Sequence, residues 1–284
     1  MRRLFRQLLR SRAGLFGFVV VVVFLVTALA APVAAPEDPV KTDLRHRLAP
    51  PGISGTDSRF SALGRDQLGR DILSRIVYGS RVTLAVAAAS VLLGGVIGLA
   101  LGLAAGYFGG WTERIIMRLV DVQLALPLML LALIIVAVLG PSLRNLIIVL
   151  ALTSWTRYAR IVRGEVLSLR EREFVLSAVA AGAGALRIIL KHILPNVISA
   201  AVVVGTLELA RVITMESALS FLGLGVQPPA ASWGRMLADG RSYMATAWWL
   251  ATFPGLAIVI LVLGVNLLGD WLRDHLDPRL LGAR

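Results

Sequence analysis

The stretch from Leu84 to Phe108, LAVAAASVLLGGVIGLALGLAAGYF, runs for 25 residues without a charge. As a helix it would be about 37 Å long, more than the roughly 30 Å hydrocarbon core of a bilayer. Within it Ser90, Gly94, Gly98, Gly102 and Gly106 recur every fourth residue. On a helix they form one stripe where a second helix can approach backbone to backbone without a hydrophobic driving force. Whether that second helix belongs to this chain or to a partner stays open at this point.

Five further apolar stretches surround this one: about Gly14 to Ala31, Leu119 to Leu139, Leu143 to Trp155, Leu194 to Leu222 and Trp248 to Leu268. The Leu143 stretch is short, about 20 Å at 1.5 Å per residue, and spans only if it continues as helix through the Tyr158 region. The composition agrees with a membrane protein. Of 284 residues, 57% are apolar and 16% charged, with a mean hydropathy of +0.79, against about 45–50% and 25% in a soluble domain. The expected fold is an all-α integral membrane bundle of six transmembrane helices. The first span could also be read as a signal peptide ending in Ala28-Leu29-Ala30, but its apolar core is longer than the 7–15 residues of such peptides, which favours an uncleaved anchor.

The net charge of +12 raises nucleic acid, an acidic partner or a membrane orientation signal as explanations. With the N-terminus inside, the inner segments hold 17 basic residues and the outer ones 11. Counting acids too, the inside carries +10, the outside +4 and the embedded remainder −2. The charge is therefore an orientation signal with both termini cytoplasmic, and no nucleic-acid partner is expected. There is no Cys, and His46, His192 and His275 are scattered, so neither a disulfide framework nor a metal site is expected. No GxxxxGK[ST] phosphate loop is present, so the chain has no ATP site of that kind.

Between the spans, residues 32–64 contain Pro32, Pro36, Pro39, Pro50 and Pro51 and read as an extended external loop. From Asp66 to Arg81 the spacing of Leu68, Ile72 and Ile76 predicts an amphipathic helix, either on the outer membrane surface or packed on its own bundle. Glu208, Arg211 and Glu216 fall in the fifth span, where charge is costly and faces a bundle interior or a wet pathway. Glu208 and Arg211, three apart, can pair on one face. The polar stretch from Trp155 to Pro195 places Arg157, Arg160 and Arg163 three apart. A run of small residues then ends at Gly182 and Gly184, either a short helix that seats in another protein's groove or a plain connector.

This last stretch resembles the coupling loop of ABC importer permeases, whose pattern is Glu-Ala-Ala, three residues, Gly, nine residues, Ile-x-Leu-Pro. Here Leu176-Ser177-Ala178, Gly182 and His192-Ile193-Leu194-Pro195 stand in register, with Leu176 replacing the Glu and Ser177 the first Ala. Three more stretches are similar to the dipeptide/oligopeptide/nickel branch of these importers, to its second channel subunit. They are Leu63 to Arg75 (LGRDQLGRDILSR, Arg65 where Thr is usual), Glu216 to Gly225 followed by Pro228-Pro229 and Ser232-Trp233-Gly234, and Asn266 to Asp274 followed by Asp277-Pro278-Arg279.

The resemblance covers nearly the whole chain and implies a type I, MetI-like permease of a bacterial inner membrane that moves short peptides. Residues 1–82 would hold the tail, first span and external loop, and residues 83–284 a five-helix core with the coupling loop at about 156–193. It implies as partners a second homologous permease, two cytoplasmic ATPases carrying ATP and Mg, an external binding protein and lipid. Glu173, Phe174, Leu176, Ser177, Ala178, Gly182 and Pro195 would contact the ATPase, and Glu208, Arg211 and Glu216 would line or brace the pathway. Arg65, Asp66, Arg70, Asp71 and Trp233 would form the external, binding-protein face. The chain itself would be no enzyme. Nickel complexes and glutathione are alternative cargoes, and an ion-coupled secondary transporter is the alternative from another class.

Overall fold

The computed structural model describes residues 7–54 and 59–276. The N-terminal Arg2, Arg3 and Arg6 and the motif Asp277-Pro278-Arg279 lie outside the described residues. Helix α1 (Arg12–Leu29) is capped by Ser11, whose side chain accepts from the Gly14 amide. It is followed by one helical turn, Ala31–Ala34, and a loop holding a 3-10 turn, Leu44–His46. That loop also holds a short antiparallel hairpin, Gly52–Ser54 with Arg59–Ser61, the only two strands among the described residues.

Of the amphipathic helix expected over Asp66–Arg81, the part from Ile72 onward is formed. Residues 66–71 are a turn, and Asp71 caps helix α2 (Ile72–Phe108), which continues unbroken into the membrane stretch. Of the two placements weighed for the apolar residues, the structure takes packing on the bundle: Ile72 and Val77 are buried and Ile76 packs on the same core. The stripe Gly94, Gly98, Gly102 and Gly106 meets helix α5 (Leu143–Arg170) of this same chain. A methyl placed on Gly98 would lie 2.4 Å from the Trp155 carbonyl oxygen, and one on Gly106 2.6 Å from Val166 Cβ. Successive glycines meet successive turns of α5 in the same chain direction, so the two helices run parallel.

The expected third span is broken. Helix α3 (Gly110–Ala125) and helix α4 (Leu128–Leu139) are bent by 92°. Pro127 brings no amide hydrogen and pushes the residue before it out of the α region, and Leu126 is extended at φ −84°, ψ 139°. The short fourth stretch does continue as helix, giving α5 its 28 residues. A small helix α6 (Glu173–Ala180) leads to helix α7 (Ala185–Phe221), which includes a π-helical segment, Ile189–Ile193. There the Leu194 amide bonds the Ile189 carbonyl five residues back, accommodating one extra residue just before Pro195. Helix α8 (Trp233–Arg241) and helix α9 (Trp249–Leu276) complete the chain.

Among the described residues four helices, α1, α2, α7 and α9, are long and apolar enough to cross a membrane singly, and the bent pair adds a fifth if it counts as one span. Helix α5 has the length but carries Arg144, Arg157, Arg160 and Arg163. Helix α1 seats on α9 through small residues: a methyl on Gly17 would stand 2.6 Å from the Gly264 carbonyl oxygen. The main core gathers α2, α4, α5, α7, α8 and α9, and a second cluster sits where α5, α6 and α7 meet.

Candidate functional site

Helix α6 is a platform with one anchored side. Val175 is buried, packing with Val162, Val166, Ile188 and Ile193, and Ala178 lies half-buried against them. Glu173, Phe174, Leu176, Ser177 and Val179 face outward. A cleft of about 450 Å³ between Tyr107, Arg170 and the Val175–Val179 side borders it. The helix ends in a Schellman turn: Ala183 N–H bonds the Ala178 carbonyl (3.1 Å) and Gly182 N–H the Val179 carbonyl (2.9 Å). Gly182 takes φ +77° there, a left-handed value at which a Cβ is strained. Of the expected ATPase-contact residues, all but Ala178 are exposed, Pro195 included.

The three embedded charges do not form one site. Glu208, almost fully buried, accepts from Arg211 Nη1 at 3.2 Å and lies 3.2 Å from Arg157 Nη1 of α5. The spacing foretold the Glu208–Arg211 pair, but not Arg157, because a contact over 51 positions has no periodic signature. Glu216 is two turns away in a hydroxyl cage, accepting from Ser220 Oγ at 2.8 Å and Thr83 Oγ1 at 3.4 Å. The arginines spaced by three reach out in turn: Arg157 to Glu208 on α7, Arg160 to Asp121 and Arg163 to Glu113, both on α3.

The residues expected on the external face form a buried clamp within this chain. Arg65, Asp66, Arg70, Asp71 and Trp233 are each less than a tenth exposed. Asp66 accepts from Arg70 Nε (2.6 Å), from Arg75 and from the Leu68 and Arg70 amides. Asp71 accepts from Ser61 Oγ and from the Ser74 amide and hydroxyl. Arg65 pairs with Glu37 and donates to the Gly69 carbonyl. Burial acts against its charge, but Glu37, with Asp71 and Asp43 beside it, more than offsets this and holds the Arg65 pKa above its ordinary value. Trp233 donates from Nε1 to the Ile76 carbonyl at 2.9 Å and meets Phe24 edge-on. These side chains fix the segment before α2 to α2 and α8. Nearby, the half-buried Asp43 carboxyl is held below its ordinary pKa by its hydrogen bond to His46. Among the described residues no three His, Asp or Glu side chains come together as a metal site.

Residues 98–282 match the family described as binding-protein-dependent transport system inner membrane component. The chain belongs to this permease family. Residues 1–51 of the permease match the N-terminal TM domain of oligopeptide transport permease C. The permease is 42% identical over 284 residues to the di/tripeptide transport system permease protein DppC of Pseudomonas aeruginosa, covering 100% of this chain and 93% of that one. It is 42% identical over 279 residues to the dipeptide transport system permease protein DppC of Alkalihalophilus pseudofirmus (98% and 90% covered). The glutathione transport system permease protein GsiD of Pectobacterium atrosepticum is 48% identical over 218 residues (77% and 72%). In fold the permease is similar to a chain of the MetNI methionine ABC transporter in an inward-facing conformation, with TM-score 0.56, 22% identity and coverage of 71% and 96%. The expected MetI-like helical bundle is thus the fold observed.

Proposed function

We propose that this permease is one of two membrane halves of an ATP-driven importer of di- and oligopeptides. It works with a second homologous permease, two cytoplasmic ATPases that bind ATP and Mg, and an external binding protein that delivers cargo. Both termini are cytoplasmic, in keeping with the distribution of basic residues. Helix α6 is the lever: its outward Phe174, Leu176 and Val179 seat in an ATPase groove, and its anchored Val175 passes the push to α5 and α7. The observation that carries this reading is the exposed apolar side of α6, held on one buried valine and stopped by Gly182. The Glu208–Arg211–Arg157 network braces α5 against α7 along the pathway. The names of the full-length relatives support peptides as cargo, and the glutathione relative, itself a permease for a small peptide, keeps that molecule among the candidates.

The test is Gly182→Val in the assembled importer in proteoliposomes. A β-branched residue at φ +77° costs roughly 1–2 kcal/mol and distorts the turn. Space is not the obstacle, since nothing lies within 4 Å of a Cβ there. Uptake of a labelled dipeptide should fall at least tenfold while ATP hydrolysis persists, and Gly182→Asn, which tolerates the left-handed region, should keep most of the coupling. Uptake that keeps pace with hydrolysis in the valine variant would sink the lever.

A further inference from the structure

Helix α3 begins where α2 leaves the membrane. At 37 residues α2 is about 55 Å long, well beyond a hydrocarbon core of about 30 Å. The uncharged part of α2 ends at Phe108, and Trp111, Glu113 and Arg114 follow within six residues, a pattern that suits the Gly109–Gly110 turn and the first turns of α3 to the headgroup layer. At 100° per residue the surface of α3 sorts cleanly. Ile116 and Val120 are buried against the bundle. Glu113 and Asp121 come next round the helix, then Arg114 and Arg118, and then a stripe of Trp111, Ile115, Leu119 and Val122, each more than half exposed.

A cleft of about 820 Å³ separates α3 from α5, lined by Glu113, Arg114, Arg118, Asp121, Arg160 and Arg163. Its acids are already engaged. Glu113 accepts from Arg163 Nε at 2.7 Å and Asp121 from Arg160 at 2.5 Å. Arg114 and Arg118 are exposed, and among the described residues neither has a carboxylate within ion-pair reach. Arg114 sits 5.0 Å from the Trp111 ring centroid, so that ring fixes it without neutralising it. The six charges sum to +2, set at headgroup depth between a polar cleft and an apolar stripe. One kind of molecule offers an anion and hydrocarbon at that separation.

We propose that the cleft binds an anionic phospholipid, its phosphate between Arg114 and Arg118 and its acyl chains along the Trp111–Val122 stripe. Basic pockets between helices at a membrane surface recognise anionic headgroups in this way, and interfacial tryptophan marks their depth. The site is distinct from α6 and stands whether or not the peptide reading does.

The experiment is native mass spectrometry of the complete importer, released from detergent and titrated with phosphatidylglycerol, phosphatidylcholine or inorganic phosphate. The wild type should retain phosphatidylglycerol more tightly than phosphatidylcholine. Arg114→Gln with Arg118→Gln should weaken that binding event by roughly 25-fold, about five-fold per arginine. Arg114→Lys with Arg118→Lys should keep most of it, and Arg144→Gln, remote from the cleft, should leave it unchanged. Unchanged phosphatidylglycerol affinity in the glutamine variant would overturn the site. So would inorganic phosphate binding as well as the lipid, which would mark a free-anion site, or loss of the second permease from the variant complex, which would mark a protein interface.

Discussion

Gly98 shows how little room some positions leave. A single methyl there would overlap the Trp155 carbonyl and the Tyr158 side chain at 2.4–2.5 Å, and both belong to the helix that α2 is packed against. Gly98→Ala is expected to cost about 1–3 kcal/mol through forced separation of α2 and α5. Gly164, on α5 with nothing within 4 Å of its would-be Cβ, is the matched control. There alanine should be neutral or stabilise by about 0.5–1 kcal/mol, because it removes backbone freedom from the unfolded chain. Thermal unfolding of the purified complex in detergent reads both, and equal melting shifts would refute the close contact. The stripe itself was plain in the sequence, since a period of four is local. Its partner was not, because the α5 carbonyls it meets lie 57 positions away.

At the scale of the element, the ion pairs of α5 decide how firmly it is held. Glu208→Gln would leave Arg211 and Arg157 facing one another without their shared anion. Loss of one partner from a buried pair costs about 3–5 kcal/mol, and the half-exposed Arg157 reduces this to about 1–3 kcal/mol by drawing water. The expected outcome is a lower denaturation midpoint that adding Arg157→Gln partly restores. A double variant no better than the single would mean that Arg157 is not part of the network. Sequence reading found the helices and their order because apolar runs of this length have few alternatives. It also found the Glu208–Arg211 pair, which needs only helical spacing. The segment before α2 is harder to read for a physical reason: Arg65, Asp66, Arg70 and Asp71 look like surface residues, yet the Asp66–Arg70 pair, the Arg65–Glu37 pair and the serine donors to Asp71 let all four be buried. The 92° bend had a visible cause in Pro127, but a proline fixes where a helix breaks and not how far the next segment turns. The π segment before Pro195 has no sequence period at all.

For the molecule as a whole, the first helix closes on the last. Gly17 and Gly264 let α1 and α9 cross with their backbones nearly touching, and Val20 fills the space beside Gly264. Gly264→Leu should prise α1 away while leaving the core of α2, α5 and α7 intact. Because the chain has no cysteine, an engineered cysteine pair across the α1–α9 contact gives a clean readout: rapid disulfide formation in the parent, slow in the variant. Equal rates would show that the crossing does not depend on these glycines. The parallel packing of α2 on α5 also bears on biogenesis. When α2 enters the membrane, its glycine groove has no occupant, since α3 and α4 must be made before α5 emerges. At ribosomal speeds of roughly 5–20 residues per second, an open groove waits in lipid for several seconds. During that interval the nascent chain has its most adhesive surface uncovered, and whatever shields it then belongs to the assembly route of this protein as much as α5 does to its finished form.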